Sequence, residues 1–285
     1  MHLKAETTVV SPFLAKRAWG GSPELTSVMF CDRCGCRFYD RGLSESEGNR
    51  YYQGYRDLAY FRDRHHYEPF YTVGAYNADT TRMASQSRRA ALAQVLEQAG
   101  APKRFHSALD YGGGTGRMLL DVDAGRKAVF DVARGQTESG VAWIGSQEEL
   151  GGNWDLVLNC QVLEHLNDPF SSVEFIANVM SKGGWLYAEV PDQHWANSAQ
   201  SGQVRQAWLS WIVDKPWLLV TADTVSTAFR IKCGFLPPMG FIPMREHLNY
   251  FTVEALCALL QRAGLAVRWS GKNLENSICA VATRE

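Results

Sequence analysis

Asp110, Gly112, Gly114 and Gly116 fall within the stretch ALDYGGGTG (108–116), where an apolar run enters a glycine turn. Glycine has no Cβ, so a ligand can lie directly against the backbone N–H groups of such a turn. The next apolar run, KAVFDV (127–132), carries Asp131 where a second parallel strand should stop. A carboxylate at that place accepts hydrogen bonds from both hydroxyls of a ribose. Together the two features describe a nucleoside pocket.

Spacing narrows the choice of nucleoside. A dinucleotide fingerprint, G-x-G-x-x-G, would need glycine at 117, and that position is Arg117. The pattern G-x-G-x-G resembles motif I of class I methyltransferases that use S-adenosylmethionine (SAM). Downstream, WDLVLNCQVLEHLNDPFSSVEFIANVMSKGGWLYAEVPD (154–192) resembles the second half of the same domain, with its Leu-Glu-His turn and its Lys-Gly-Gly before a further strand. REHLNYFTVEALCALLQRAGLAV (245–267) is similar to a later stretch of one branch, and CDRCGCRFYD with YYQGYRD (51–57) to that branch's N-terminal cysteine module. The branch serves sugar, surface-glycan and natural-product pathways.

The resemblance assigns roles. Asp110 and the three glycines would cradle the methionine portion and ribose of SAM, and Asp131 would accept the ribose. Family members often place an Asp after the third strand for the adenine amino group. This chain has GSQEEL (145–150) there, leaving Ser146 or Gln147 as substitutes. Asn159 and Gln161 lie at or just beyond the end of the fourth strand, the edge that faces cofactor and substrate in open α/β sheets. Some relatives carry Glu at the position of Gln161 and bind a metal with the following Glu and His. A neutral amide suits a hard cation poorly, so Glu164 and His165 are not expected to hold a catalytic magnesium. His165 and His247 are the candidate general bases for deprotonating a hydroxyl nucleophile, with His194 a weaker third. Arg82 or Arg88 would reach the SAM carboxylate if the tyrosine-rich 51–76 segment closes as a lid; a packed N-terminal extension is the equal alternative.

Cys31, Cys34 and Cys36 form half of a zinc ribbon. A structural site takes four ligands, and the fourth would have to be His2, His65, His66 or a partner's residue. A metal-free ribbon is the alternative.

The elements that must position these residues follow from pattern. A helix is expected at 84–99, with Ala91, Leu92, Val95, Leu96 and Ala99 on one face. Short apolar runs at 106–111, 127–132, 140–145, 154–160 and 185–190 read as buried parallel strands. Between the last two, Asp168 should cap a helix that Gly183 closes. A helix at 252–263, capped by Thr252, leads to an antiparallel hairpin of 265–270 and 277–283. Residues 1–40 look irregular up to a small ribbon at 28–40. Residues 193–245, with Trp195, Trp208, Trp211 and Trp217, read as an aromatic insertion over the substrate pocket, with aromatic packing of a helical extension or a dimer contact as the alternative.

The fold class expected is therefore α/β, a Rossmann-like SAM-methyltransferase sheet with a terminal hairpin. Residues 1–83 would be an N-terminal extension, and 84–285 the SAM-binding domain with its insertion. A net charge of −1 and a pI near 6.7 argue against nucleic acid as partner. MHLKAETTVV lacks a signal-peptide core, no run has membrane-span length, and seven scattered cysteines suit a reducing compartment, so a cytoplasmic protein is expected. The function expected is SAM-dependent O-methylation of a hydroxyl on a sugar, glycan or similar small metabolite. The alternatives are C-methylation of a nucleotide-linked keto-sugar and a non-catalytic SAM-fold partner protein.

Overall fold

The computed structural model describes residues 3–55, 57–83, 85–132, 136–193, 195–196 and 202–285, without the side chains of 79, 80, 82 and 83. His2, His194 and the Arg82 side chain therefore lie outside the described residues. The chain divides into two compact units. One contains residues 34–36, 82–192 and 250–285, the other 1–33, 37–81 and 193–249.

The first unit is built on a seven-stranded sheet. Its strands, in chain order, are β1 (Arg104–Tyr111), β2 (Asp123–Phe130), β3 (Ala142–Ile144), β4 (Trp154–Cys160), β5 (Met180–Val190), β6 (Leu265–Lys272) and β7 (Ile278–Arg284). Across the sheet they run β3-β2-β1-β4-β5-β7-β6. The first five are parallel, and β7 joins β5 and β6 antiparallel. The order reverses between β1 and β4, so the crevice outside their C-terminal ends is the place where an open α/β sheet takes a ligand.

Alternation along the strands explains the two-sided core. Leu109, Val157, Leu186 and Ala188 face helices α2 (Pro169–Val179) and α3 (Val253–Arg262). Ala108, Leu156, Leu158 and Tyr187 face helix α1 (Gln86–Gln98). Neighbours in sequence point to opposite faces, as the period of two in a strand requires. Asp168 caps α2 by accepting the Ser171 N–H at 3.1 Å, and Thr252 caps α3 by accepting the Ala255 N–H at 3.1 Å.

Three expectations need correction here. Gly183 does not close α2: the helix ends at Val179 and the chain passes directly into β5. A Cβ on Gly184 would stand 2.8 Å from the Ser181 carbonyl and 2.9 Å from that of Trp154. Lys-Gly-Gly is thus an irregularity packed into the β4–β5 register, not a helix stop. The second strand ends at Phe130, so Asp131 stands just past its edge. Residues 3–27 are also regular, with strand Leu3–Val9 and helix Pro12–Trp19.

In the second unit, Leu3–Val9, Leu25–Cys31 and Arg37–Tyr39 pair antiparallel. Helices Glu45–Tyr52 and Leu58–Tyr67 follow, started by the Ser44–Glu47 capping box and the Asp57 cap. Residues 193–249 belong to the same unit. Leu209, Ile212 and Leu219 from their two helices pack with Val9 and Phe241. Tyr51 and Tyr60 are fully buried, with their hydroxyls 3.0 Å apart. Among the described residues no helix is long and apolar enough to cross a membrane.

Candidate functional site

β1 delivers Asp110 and Tyr111 to the C-terminal edge, and the glycine turn begins at once. The Gly112 N–H donates to the Phe130 carbonyl at 2.7 Å, tying the turn to the end of β2. Gly112, Gly114 and Gly116 all have left-handed backbone, with φ of 79°, 58° and 77°. Gly113 is needed for another reason: a Cβ there would lie 2.0 Å from the Asp110 carboxyl carbon. At Gly114 a Cβ would meet nothing within 4 Å, so this is the point of the turn that faces open space. The Gly114 N–H donates to Asp131 Oδ2 at 2.9 Å, so the expected ribose acceptor also shapes the loop.

Beneath the turn lie buried polar groups with unused hydrogen-bonding capacity. Asp110 is fully buried, and neither carboxylate oxygen has a hydrogen-bond partner among the described residues. Burial pushes its carboxyl up to about 7; Arg88 opposes this, and the charges of Asp131 and Glu189 add to it. Asn159, at the end of β4, donates through Nδ2 to the Tyr111 carbonyl at 3.3 Å and leaves Oδ1 without a partner. Buried polar groups in native proteins are nearly always paired. Two orphans on adjacent strand ends leave hydrogen-bonding capacity open at this edge of the sheet.

The turn after β4 holds a second group. Glu164 is 1% exposed, neither of its oxygens makes a well-formed hydrogen bond, and burial drives its carboxyl up to about 8. His165 is half-buried, with Nε2 3.8 Å from Glu164 Oε1. Gln161 adopts the left-handed region at φ 60°, and its Nε2 donates to Glu189 Oε1 at 3.0 Å. Glu189 also accepts Arg88 Nη2 at 2.9 Å, so Arg88 is committed inside this unit.

After β3, the Gln147 side-chain amide donates to the Tyr111 hydroxyl at 2.6 Å, and Ser146 hydrogen-bonds the Glu148 carboxylate. The structure thus places both near the C-terminal edges of β1 and β3, already engaged with protein groups. In the other unit, His247 Nδ1 is bonded to the Gln193 side-chain amide. Cys31 ends a strand, while Cys34 and Cys36 lie in the loop that follows, where the Cys34 carbonyl accepts the Thr252 hydroxyl at 2.6 Å. Among the described residues none of these cysteines joins a cluster of three or more metal-ligating side chains. His65 Nδ1 is engaged with the Tyr71 carbonyl at 3.0 Å.

Sequence reasoning missed Glu189, Gly113 and Tyr111. The signal for Glu189 was a single acid inside the apolar run WLYAEV, where a buried parallel strand should carry none.

A family model described as "Methyltransferase domain" matches residues 83–268. No curated protein matches the sequence. Among solved structures, the chain is similar to 1,6-didemethyltoxoflavin-N1-methyltransferase of Burkholderia thailandensis, solved with 1,6-didemethyltoxoflavin and S-adenosylhomocysteine (SAH). That likeness has 16% identity and a TM-score of 0.48, over 91% of this chain and 95% of that one. It is also similar to the N-methyltransferase NodS of Bradyrhizobium japonicum with SAH, at 15% identity and a TM-score of 0.42, over 70% and 87% of the two chains. A SAM-dependent methyltransferase of Aquifex aeolicus matches at 14% identity and a TM-score of 0.43, over 72% and 96%. The family match spans the glycine turn, Asp131 and the edge of β4, and the chain belongs to the methyltransferase-domain family as a SAM-dependent methyltransferase.

Proposed function

We propose that the protein O-methylates a hydroxyl of a sugar, glycan or similar small metabolite. The residues present fit the cofactor. The glycine turn is open at Gly114, and Asp110 and Asn159 Oδ1 are buried beside it without partners. In this reading the amides of 112–116 and Asp110 hold the amino-acid and ribose portions, and Asp131 takes the ribose hydroxyls while keeping the Gly114 N–H. Ser146 and Gln147 stand toward the adenine end, and Asn159 and Gln161 border the methyl-bearing portion. SAM supplies a methyl group on a sulfonium, open to in-line displacement.

The observation that carries the choice of acceptor is His165. It offers a half-buried imidazole at the C-terminal edge of the sheet, with buried Glu164 behind it. An imidazole there can take the proton that a hydroxyl gives up as its oxygen attacks. His247 is the other candidate for that proton. Gln161 points its amide at Glu189, which supports a reaction without a metal bound through that residue.

The test begins with calorimetric binding of SAH to wild type and Asp131→Ala. At ligand about a hundredfold above its dissociation constant, binding should stabilise the fold by roughly 2.7 kcal/mol, and Asp131→Ala should weaken it. Transfer of a labelled methyl to hydroxyl-bearing metabolites follows, with NMR of the product. An O–CH3 signal supports the proposal, while a C–CH3 signal replaces it with C-methylation of a keto-sugar. If His165→Ala and His247→Gln both keep wild-type turnover, neither histidine is the base.

A further inference from the structure

Glu189 stands at the next-to-last position of β5, 1% exposed, and every hydrogen-bonding direction of its carboxylate is used. Oε1 accepts Arg88 Nη2 at 2.9 Å, Arg88 Nε at 3.3 Å and Gln161 Nε2 at 3.0 Å. Oε2 accepts the Tyr187 hydroxyl at 2.7 Å and Asn273 Nδ2 at 3.1 Å. Its backbone carbonyl accepts the Gln161 N–H at 2.8 Å. One carboxylate thereby joins α1, the turn after β4, β5 itself and the turn between β6 and β7.

Two of these partners are held in forms they would not keep alone. Gln161 has the left-handed backbone that side-chain-bearing residues rarely adopt, and its N–H and its amide are both pinned by Glu189. Arg88 is 6% exposed, and without a carboxylate partner a guanidinium would not stay so deep. Its charge acts on Asp110 and on Glu164, the two acids with open hydrogen-bonding capacity. Asn273 passes the constraint on, accepting the Glu275 and Ser277 N–H groups at 3.0 Å each.

We propose that Glu189 is the positioning residue of the cofactor site: its carboxylate fixes Arg88 beside Asp110 and fixes Gln161 in the turn after β4, so that both edges of the crevice keep their shape. It acts through these residues and not by touching the methyl group. The inference rests on the glycine turn as the SAM site and is independent of the methyl acceptor.

Two variants test it. Glu189→Gln keeps the shape and removes the charge. Arg88→Met/Glu189→Leu replaces the pair with apolar side chains, an exchange that buried ion pairs often tolerate without loss of stability. SAH affinity is measured by calorimetry at a temperature where circular dichroism shows each protein fully folded. A role confined to stability lowers the melting temperature and leaves that affinity alone. Positioning weakens SAH binding in both variants by on the order of tenfold, the scale on which lost supporting contacts loosen a site. A second readout is the Asp110 carboxyl followed by carbon-13 NMR, which should titrate at lower pH in Glu189→Gln because a like charge has gone and Arg88 remains. Wild type that fails to bind SAH removes the cofactor reading itself. Wild type that binds, with both variants within about twofold of it, overturns the inference about Glu189. If Glu189→Gln does not fold, the double variant decides.

Discussion

Each unit of the molecule buries a cluster of charged side chains, and the two clusters are wired differently. In the unit containing 193–249, Arg245 Nη2 reaches both oxygens of Asp223, at 2.7 and 2.8 Å, and its Nε reaches Glu68 at 2.9 Å. Arg64 takes the other Glu68 oxygen at 2.8 Å and Glu246 at 2.8 Å. Asp223 and Glu68 are thus buried acids with both oxygens paired. In the methyltransferase unit Arg88 is spent on Glu189, and Asp110 and Glu164 keep open carboxylates. A network built on two such acids is a scaffold, because Asp223 and Glu68 keep no carboxylate oxygen open to recognise a ligand. An open one costs stability and persists where binding recovers the loss.

The largest effect should come from breaking the closed cluster. Arg245→Met leaves Asp223 and Glu68 buried beside one fewer cation, and removing one partner of a buried pair typically costs about 3–5 kcal/mol. Chemical denaturation followed by fluorescence should show that loss. An equal loss of SAH affinity in the still-folded protein would show that this cluster, too, serves binding.

A smaller loss of stability, with a larger effect on binding, is expected at the glycine turn. Gly113→Ala sets a Cβ 2.0 Å from the Asp110 carboxyl carbon, and Asp110 is too deeply buried to swing aside. Overpacking of this kind costs about 1–3 kcal/mol. SAH affinity should fall by more than about tenfold as Asp110 and the turn move apart. A variant that binds normally would mean the turn adjusts without moving its amides.

The open cluster also has a pH signature. Burial pushes the Asp110 and Glu164 carboxyls up to about 7 and about 8 in the folded protein, against about 4 when unfolded. Between those limits the folded state holds protons that the unfolded chain has released, so stability falls as pH rises from about 4 to about 8. Glu164→Gln removes part of that slope and should raise stability at pH 8 by on the order of 1 kcal/mol. Melting temperatures of wild type and variant across that range are the measurement. Parallel curves would mean that the Glu164 carboxyl is already ionised when folded.

The contrast between the clusters also explains what the sequence made legible. The parallel strands, α1, the two capped helices and the terminal hairpin were readable because their signals are local: alternation, a cap residue, a glycine at a turn. The placement of Asp110, the glycine turn and Asp131 at the ends of β1 and β2 was readable because their spacing along one stretch is itself the geometry. Glu189 was not, since its partners Arg88, Gln161 and Asn273 are brought together only by sheet order. The Lys-Gly-Gly irregularity was misread because a glycine pair after a helix looks the same whether it ends the helix or bends the next strand. The strand Leu3–Val9, with its polar alternation, gave little apolar signal, and its pairing partner lies beyond a helix. The tyrosine-rich 51–76 segment read equally as a lid or a packed extension, because composition does not separate aromatic rings packed inside, such as Tyr51 and Tyr60, from rings awaiting a ligand.

The smallest effect is expected where the methyltransferase unit has neither kind of cluster. Thr252 accepts the Ala255 N–H at the start of α3 and donates its hydroxyl to the Cys34 carbonyl at 2.6 Å. Thr252→Ala removes both bonds and should cost about 1 kcal/mol, the usual worth of a helix cap. Thr252→Ser keeps the hydroxyl and loses the methyl, which lies 2.9 Å from where a Cβ on Gly35 would stand. Denaturation midpoints for the two variants separate these contributions, and a hydroxyl that matters leaves Ser near wild type and Ala below it. Calorimetry on the same proteins supplies the control for the larger predictions. SAH binding should be unchanged in both, because Thr252 has no hydrogen bond to the glycine turn, Glu189 or the edge of β4. If Thr252→Ala weakened SAH binding as much as Gly113→Ala, the loss would track stability throughout the unit, and the distinction between closed and open clusters would fail.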